Sequence, residues 1–343
     1  MSPNFNDFPP PPPGKIGWPW TIDAATAEAL RQARAGITHW PKLSITTPSF
    51  NQGHFIEETI RSILLQGYPG IEYFIMDAGS TDNAVEVIKK YEPWLAGWVS
   101  EKDKGMADAI NKGWSRATGD LVAYLNSDDW YYPGALATMA RTFNENPGVS
   151  WVGGKVNNGW SPTDIHSRHV PRRTSVAECM GRNNYGYHQP GMFWRRELVQ
   201  QVGPFNDMRG YSFCHDFWIR SMLLGHQMHC LHQQITFFRL HANSQTVTTK
   251  HIFIAGDWAV FDRFKDQLSP DLVKQARKWL REYEADNLVD IIYSFLTRGQ
   301  QAAAIRYLFA RLPLLSKMPN RRSIPGIFFR TLITGRAPIW FRG

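Results

Sequence analysis

The chain has 343 residues, 43% hydrophobic and 20% charged, which is a globular composition with room for one large α/β domain with appendages, or for two domains, and not a disordered one. The three cysteines, Cys179, Cys214 and Cys230, are odd in number and form no C-x-x-C, which argues against a disulfide framework or zinc knuckle and fits a reducing compartment. The net charge of +8 is uneven: residues 298–343 carry nine Lys or Arg and no Asp or Glu, so the rest of the chain sums close to neutral.

The first segment reads NFNDFPPPPPGKIGWPW, a proline run of extended geometry rather than a signal peptide. Residues 1–40 are expected to form an arm whose GWPW packs on the body or, alternatively, serves as a Pro-rich ligand. From Lys42 strands and helices alternate. LSITTPSF is a strand, and the next helix carries Ile56, Ile60, Ile63 and Leu64 on one face with Gly67 as its stop. IEYFIMD is a strand ending at DAGSTD, then come a helix with Ala84, Ile88 and Tyr91 inward and the short strand GWVSE. Met106, Ala109, Ile110, Gly113, Trp114 and Ala117 mark a further helix. DLVAYL is the near-continuous apolar strand of a sheet covered on both faces. YPGALATMARTF follows as a helix with Pro133 in its first turn.

Such alternation predicts a doubly wound α/β sheet that is mostly parallel, whose ligands bind beyond the carboxyl ends of the strands. The polar clusters TPSFN, DAGSTD, EKDKG and NSDD all fall at those ends. Beyond Val149, WVGG, GMFWRR and ITFFRL read as strands, HDFWIRSMLLGH as a helix opening at Asp216, and 253–296 as two amphipathic helices. The expected domains are the arm at 1–40, the α/β domain at 41–250 and a basic helical extension at 251–343.

In NSDD, Asp128 and Asp129 stand either for a turn or helix cap or for a cation site, since clustered hard oxygens suit Mg²⁺ or Mn²⁺. DAGSTD is not an EF-hand loop: the sixth position from Asp77 is Asp82 and the twelfth is Ile88. Asp82 suits a cap on the next helix. PSFNQG after the first strand lacks the G-x-G-x-x-G of dinucleotide-binding chains, and no Walker A loop occurs. His226, His229 and His232 straddle a helix end and read as a surface cluster rather than a zinc site.

In this order and spacing the pattern resembles the family 2 glycosyltransferases, of GT-A type, built from two abutting Rossmann-like halves. The likeness runs from about Leu43 to Thr246. It rests on SITTPSFNQG, DAGSTD, SEKDKGMADAINKGW, YLNSDD, HQPGMFWRRELVQQVGPFN, HDFWIR and RLHANSQT. It implies that Pro48, Ser49 and Asn51 line a nucleotide pocket, that Asp77 meets the base, usually uracil, and that Asp108 and Asn111 face the nucleotide. Asn126-Ser127-Asp128 stands where the family has D-x-D. Asp128 would hold a divalent cation, Mn²⁺ or Mg²⁺, on the diphosphate, while Asn126, which departs from the motif, would contact the nucleotide. Asp129, His188 and Gln189 would border the donor sugar or acceptor, and His241 would join the metal or the phosphates.

Asp216 takes the place of the catalytic base, after His215 where Glu is frequent. From the residues alone the favoured reading is a helix N-cap. The implied activity is inverting transfer of a single sugar from a nucleotide-sugar, usually a UDP-sugar, to a hydroxyl of a glycan or lipid-linked acceptor. Neither Q-x-x-R-W nor transmembrane helices mark a processive enzyme. A non-catalytic binder of nucleotide-sugars and a sugar nucleotidyltransferase are the other classes. The retained Asp77, Asp128 and Asp216 argue against the first, and the missing G-x-G-x-R loop against the second. The basic, aromatic tail reads as a membrane-surface contact or as a packed helix pair. Nucleic acid is disfavoured, and the expected location is cytoplasmic, peripheral to the membrane.

Overall fold

The computed structural model describes residues 8–183, 186–208, 212–241 and 244–311, with backbone only at 246 and 247. The basic segment from 312 onward, and with it most of the membrane-contact expectation, lies outside them. The strands are β1 (Leu43–Ser49), β2 (Ile71–Asp77), β3 (Gly97–Ser100), β4 (Leu121–Tyr124), β5 (Trp130–Tyr131), β6 (Trp151–Ser161), β7 (Asp164–His169), β8 (Met192–Arg195) and β9 (His229–Arg239). The first helices are α1 (Ala24–Arg34), α2 (Ile56–Leu64), α3 (Ala84–Tyr91), α4 (Met106–Arg116) and α5 (Ala135–Glu145). They are followed by α6 (Val176–Gly181), α7 (Arg196–Val202), α8 (Ser212–Leu223) and α9 (Gln245–Thr248), then α10 (Lys250–Phe264), α11 (Pro270–Asp286), α12 (Leu288–Leu296) and α13 (Gln301–Ala310). Two units divide the chain: 1–173 with 186–205 and 224–239, and 174–185 with 206–223 and 240–343.

The first unit holds the sheet, in the order β3-β2-β1-β4-β8-β6-β9-β5 with β7 on β6. β3, β2, β1 and β4 are parallel, β8 runs antiparallel between β4 and β6, and β9 is parallel to β6. The mostly parallel α/β sheet expected from the alternating pattern is therefore present, in keeping with the GT-A type that the resemblance implies. Strand order reverses between β1 and β4, the switch point beside which a doubly wound sheet binds its ligand. Every residue of β1 is buried, as a central parallel strand requires. Ile45, Ile60, Ile75, Ile88, Leu121 and Phe143 share the main core.

Helix α4 lies against β1 only because residue 113 is glycine. A Cβ there would stand 2.3 Å from Thr46 Oγ1. Pro133 does not open α5. Gly134, at φ 81°, precedes the helix in the left-handed region, and its N–H donates to Gln66 Oε1 at 2.9 Å, so the turn closes before the helix begins. Strands β6 and β9 run 11 residues each, longer than their apolar stretches suggest, because they pair with each other through two register shifts.

The proline-rich arm packs as its aromatics predict. Trp18 Nε1 donates to the Tyr131 carbonyl at 2.7 Å. Arg61, 5% exposed, donates to the carbonyls of Pro9, Pro19 and Trp20 and to Tyr91 Oη. Helix α1, capped by Asp23, had no clear apolar stripe; Arg141 of α5 reaches the carbonyls of Ala33 and Ala35 at its end.

The second unit is helical among its described residues. Where two helices were expected over 253–296 there are three, split at Ser269-Pro270 and at Asn287. Leu288, Ile292 and Ala304 form a small core. The buried Glu284 carboxylate gathers Trp258 Nε1 at 3.0 Å, Arg311 Nε at 2.7 Å and Tyr307 Oη. No described helix is long and apolar enough to cross a membrane.

Candidate functional site

At the carboxyl edge of the parallel strands, Ser49 pairs with Asp77 in register, so Pro48, Ser49 and Asp77 lie side by side. Ser49 is 5% exposed and its Oγ has no hydrogen-bond partner among the described residues. The Asp77 carboxylate is largely occupied: Oδ2 accepts from Gly79 N, Ser80 N and Ser100 Oγ, and Oδ1 from Ser80 Oγ at 2.5 Å. Asn51, at φ 52°, bridges the same loop. Its N–H donates to Ser80 Oγ at 2.7 Å and its Oδ1 accepts from Thr81 N at 2.8 Å. The N-cap of α3 is Asn83 rather than Asp82; Asp82, one position earlier, receives Ala84 N at 3.0 Å and Gly53 N at 2.8 Å, which adds a second tie between the two loops. Asn51 and Asp77, both expected at a nucleotide pocket, are thus tied together through Ser80.

Asp108 lies in the first turn of α4, half-buried, with Lys104 N at 3.2 Å and Lys112 Nζ at 3.3 Å on Oδ2. Asn111 clamps the backbone of Phe205: its Nδ2 donates to the Phe205 carbonyl and its Oδ1 accepts from the Phe205 N–H, each at 2.9 Å. Both residues sit on the same helix as expected, but the Asn111 amide holds the chain rather than standing open to a ligand.

The stretch Asn126–Asp129 is a turn leaving β4, closed by Asp129 N on the Asn126 carbonyl at 3.2 Å. Neither aspartate caps α5, whose N-cap is Gly134 without a side-chain bond. Asp129 is fully buried. Its Oδ1 accepts from Arg239 N at 2.9 Å and its Oδ2 faces Asn126 Nδ2 at 3.4 Å. Burial, then the neighbouring Asp128 charge, push its carboxyl well above the usual range. Asp128 is less enclosed. Asn126 Oδ1 is buried with no hydrogen-bond partner among the described residues.

An orphaned oxygen two residues from a half-buried carboxylate fits a hard divalent cation that takes few protein ligands and keeps positions for water and phosphate. Asn126 and Asp128 would hold it; Asp129 is already committed to Arg239. Among the described residues no group of three or more His, Cys, Asp or Glu is arranged around a common point.

Gln189 gives Nε2 to the Tyr124 carbonyl at 2.8 Å, which places it at the end of β4 just before Asn126. His188 precedes it, its ring 5.1 Å from His169 and 5.2 Å from Phe238. Two residues escaped sequence reasoning: Arg239 and Glu58. Arg239 closes β9, gives Nε to the Asp128 carbonyl at 3.0 Å and pairs with Glu58 of α2 at 2.6 Å. The only signal for Arg239 was its place in RLHANSQT, and Glu58 looked like an ordinary first-turn acid.

Asp216 and His241 belong to the second unit. Helix α8 opens at Ser212, so Asp216 is inside it and is not its N-cap. Its carboxylate is fully buried and ringed by Asn206 Nδ2 at 2.6 Å, Arg220 Nε at 2.8 Å and Arg263 Nε at 3.2 Å. Beside it, His215 Nδ1 meets Asp257 Oδ1 at 2.8 Å, and Arg182 Nε meets Asp257 Oδ2 at 3.0 Å. Burial, reinforced by Arg182, pushes the His215 imidazole down to about 4. Arg182 and His215 hold Asp257 down to about 2 against its burial. The partly buried His241 accepts Ser244 N on its carbonyl at 2.9 Å.

Comparison with known proteins bears on the family and the fold. An uncharacterized glycosyltransferase of Mycobacterium tuberculosis is 30% identical over 190 residues, covering 55% of this chain and 71% of the relative. The GalNAc(5)-diNAcBac-PP-undecaprenol beta-1,3-glucosyltransferase of Campylobacter jejuni is 31% identical over 109 residues, 31% of this chain and 35% of that one. Among solved structures, the mannosyltransferase PcManGT of Pyrobaculum calidifontis, in complex with GDP-Man and Mn²⁺, superposes with a TM-score of 0.54. It is 18% identical, covers 93% of this chain and 97% of its own, and speaks to the fold. The model of glycosyl transferase family 2 matches residues 44–203, which span β1 to the end of α7 and contain the whole switch-point edge. With that match and the mycobacterial relative, the chain belongs to glycosyl transferase family 2.

Proposed function

We propose that this glycosyltransferase moves a single sugar from a nucleotide-sugar, by preference a UDP-sugar, to a hydroxyl of a glycan or lipid-linked acceptor, with inversion at the anomeric carbon. The observation that carries the reading is the orphaned Asn126 Oδ1 beside Asp128, at a switch point whose adjoining loops are tied together through Asp77 and Asn51. The loops after β1 and β2, with Pro48, Ser49, Asn51 and Asp77, would hold the nucleoside, and Asp108 would flank it. Asn126 and Asp128 would hold Mn²⁺ or Mg²⁺, with His241 as a further candidate. A divalent cation held there would offset the charge that develops on the departing diphosphate. Asp129, His188 and Gln189 would border the sugar.

Asp216 would take the proton of the attacking hydroxyl, and one displacement on the face opposite the leaving group inverts the configuration. To do so its carboxylate must part from one of its cations. Arg263, with a side chain 46% exposed, is the more mobile candidate than Arg220 at 17%. A lipid-linked acceptor lies at a membrane surface, where the basic segment 298–343 would meet anionic headgroups on the cytoplasmic side.

The test is release of nucleoside diphosphate from a panel of UDP- and GDP-sugars with Mn²⁺, with and without EDTA. Product formation abolished by the chelator is expected. Turnover indifferent to EDTA would sink the cation reading. The complete burial of Asp216 favours one second reading, a nucleotide-sugar binder that does not transfer, and tight binding of donor without turnover toward any glycan or lipid-linked acceptor would select it.

A further inference from the structure

Arg239 makes four contacts with the loop that follows β4 and with its support. Its backbone N–H donates to Asp129 Oδ1 at 2.9 Å. Its Nε donates to the carbonyl of Asp128 at 3.0 Å. Its Nη2 pairs with Glu58 Oε2 at 2.6 Å, and its guanidinium lies over the Phe55 ring at 5.0 Å. Arg239 and Glu58 are only 12% and 14% exposed, so water does little to weaken the pair.

Helix α2 grips the same loop from its own side. Thr59 Oγ1 donates to the Asp129 carbonyl at 2.6 Å, and Ser62 Oγ accepts Tyr131 N at 3.2 Å. Both backbone carbonyls flanking the Asp128–Asp129 bond are thereby taken, one by Arg239 and one by α2. With both carbonyls held, rotation of the 128–129 peptide is restrained, and with it the direction of the Asp128 Cα–Cβ bond.

We propose that Glu58 and Arg239 form a clamp that positions Asp128 for the divalent cation: Glu58 orients the guanidinium, and the guanidinium fixes the Asp128 peptide. Neither residue touches the cation in this account; both are positioning residues. The inference rests on the cation reading given under Proposed function. Partners that orient a metal ligand typically change affinity by ~10–100-fold when removed.

The experiment measures Mn²⁺ affinity by calorimetry and by the electron paramagnetic resonance of free Mn²⁺, with and without UDP, alongside thermal unfolding. The variants are Arg239→Lys, Arg239→Met and Glu58→Gln. Arg239→Met retains packing over Phe55 but loses both polar contacts of the side chain, and its Mn²⁺ affinity is expected to fall ~10–100-fold. Arg239→Lys keeps the charge opposite Glu58 without the planar fork and is expected between that value and wild type. Glu58→Gln, which leaves Arg239 in place, is expected to weaken Mn²⁺ by a few-fold while remaining folded.

Variants that melt earlier yet bind Mn²⁺ as wild type does would overturn the clamp and leave a purely structural pair. Equal loss of UDP affinity with and without Mn²⁺ in Arg239→Met would also overturn it, since Arg239 would then meet the anion directly. If wild type itself binds no Mn²⁺, the cation reading falls and the clamp with it.

Discussion

Replacing Asn126 by Asp restores two spaced carboxylates and tests the site with a single atom change. In the wild-type protein Asn126 Nδ2 faces Asp129 Oδ2 at 3.4 Å. In Asn126→Asp that donor becomes a second anion at the same distance, in a cluster where burial and Asp128 already raise the Asp129 carboxyl. Coulomb's law with an effective dielectric near 20 gives about 5 kcal/mol for two full charges at that separation. Proton uptake by Asp129 caps the repulsion, so a loss of about 2–4 kcal/mol without metal is expected. For a chain of this size that lowers the melting temperature by roughly 3–6 °C.

Divalent cation reverses the sign. A ligand at a hundred times its dissociation constant stabilises by about 2.7 kcal/mol, and the extra carboxylate tightens binding further. The assay is thermal unfolding across an Mn²⁺ titration. Asn126→Asp should melt below wild type in EDTA and gain more from Mn²⁺ than wild type does. An unchanged melting point in EDTA together with an unchanged response to Mn²⁺ would refute a carboxylate-poor cation site here.

Gly113→Ala drives a methyl toward Thr46 Cβ at 2.9 Å, in a contact between α4 and β1 that has no slack. Overpacking of about 1–3 kcal/mol outweighs the roughly 1 kcal/mol gained in helix propensity, so chemical denaturation should show a net loss. Burial disfavours the charged His215 imidazole, so its folded value of about 4 lies below its ordinary value of 6.5. Its contribution is complete above 6.5 and is lost as pH falls through the window down to 4, on the order of 3 kcal/mol. His215→Gln should flatten that part of the stability profile, while the loss from Asp257, held at about 2, comes only below its ordinary value of 3.8. Asp216→Asn separates catalysis from scaffolding. A base predicts lost transfer with donor binding kept, whereas a purely structural anion predicts a lower melting point at unchanged activity per folded molecule, because Arg220 and Arg263 lose their counter-charge.

The parallel half of the sheet was legible because its strands announce themselves. LSITTPS and LVAY are uninterrupted runs suited to a strand buried on both faces, and the amphipathic spacing of α2, α3 and α4 fills the crossovers between them. What blurred was structure fixed by distant partners. β7 is mostly exposed and has no apolar alternation to betray it; it exists because β6 offers an edge. The left-handed Gly134 moved the start of α5 past Pro133, and its anchor is Gln66, a residue that no local rule connects to that turn.

The same distinction runs through the candidate site. Asp77, Asn126 and Asp128 stand out because a strand that ends in carboxylates needs a reason, and the reason is local to each loop. Their geometry is not local. Arg239 lies 111 positions beyond Asp128, and Glu58 lies 181 positions before Arg239. Only the pairing of β5 with β9, Trp130 opposite Phe237, brings the end of β9 beside the turn that leaves β4. The ligand types are therefore written where the strands stop, while the precision with which they are held is written in a strand that reaches them from the other half of the sheet. A change in β9 that shifts its register by one residue would leave every motif intact and still move Arg239 off the Asp128 carbonyl.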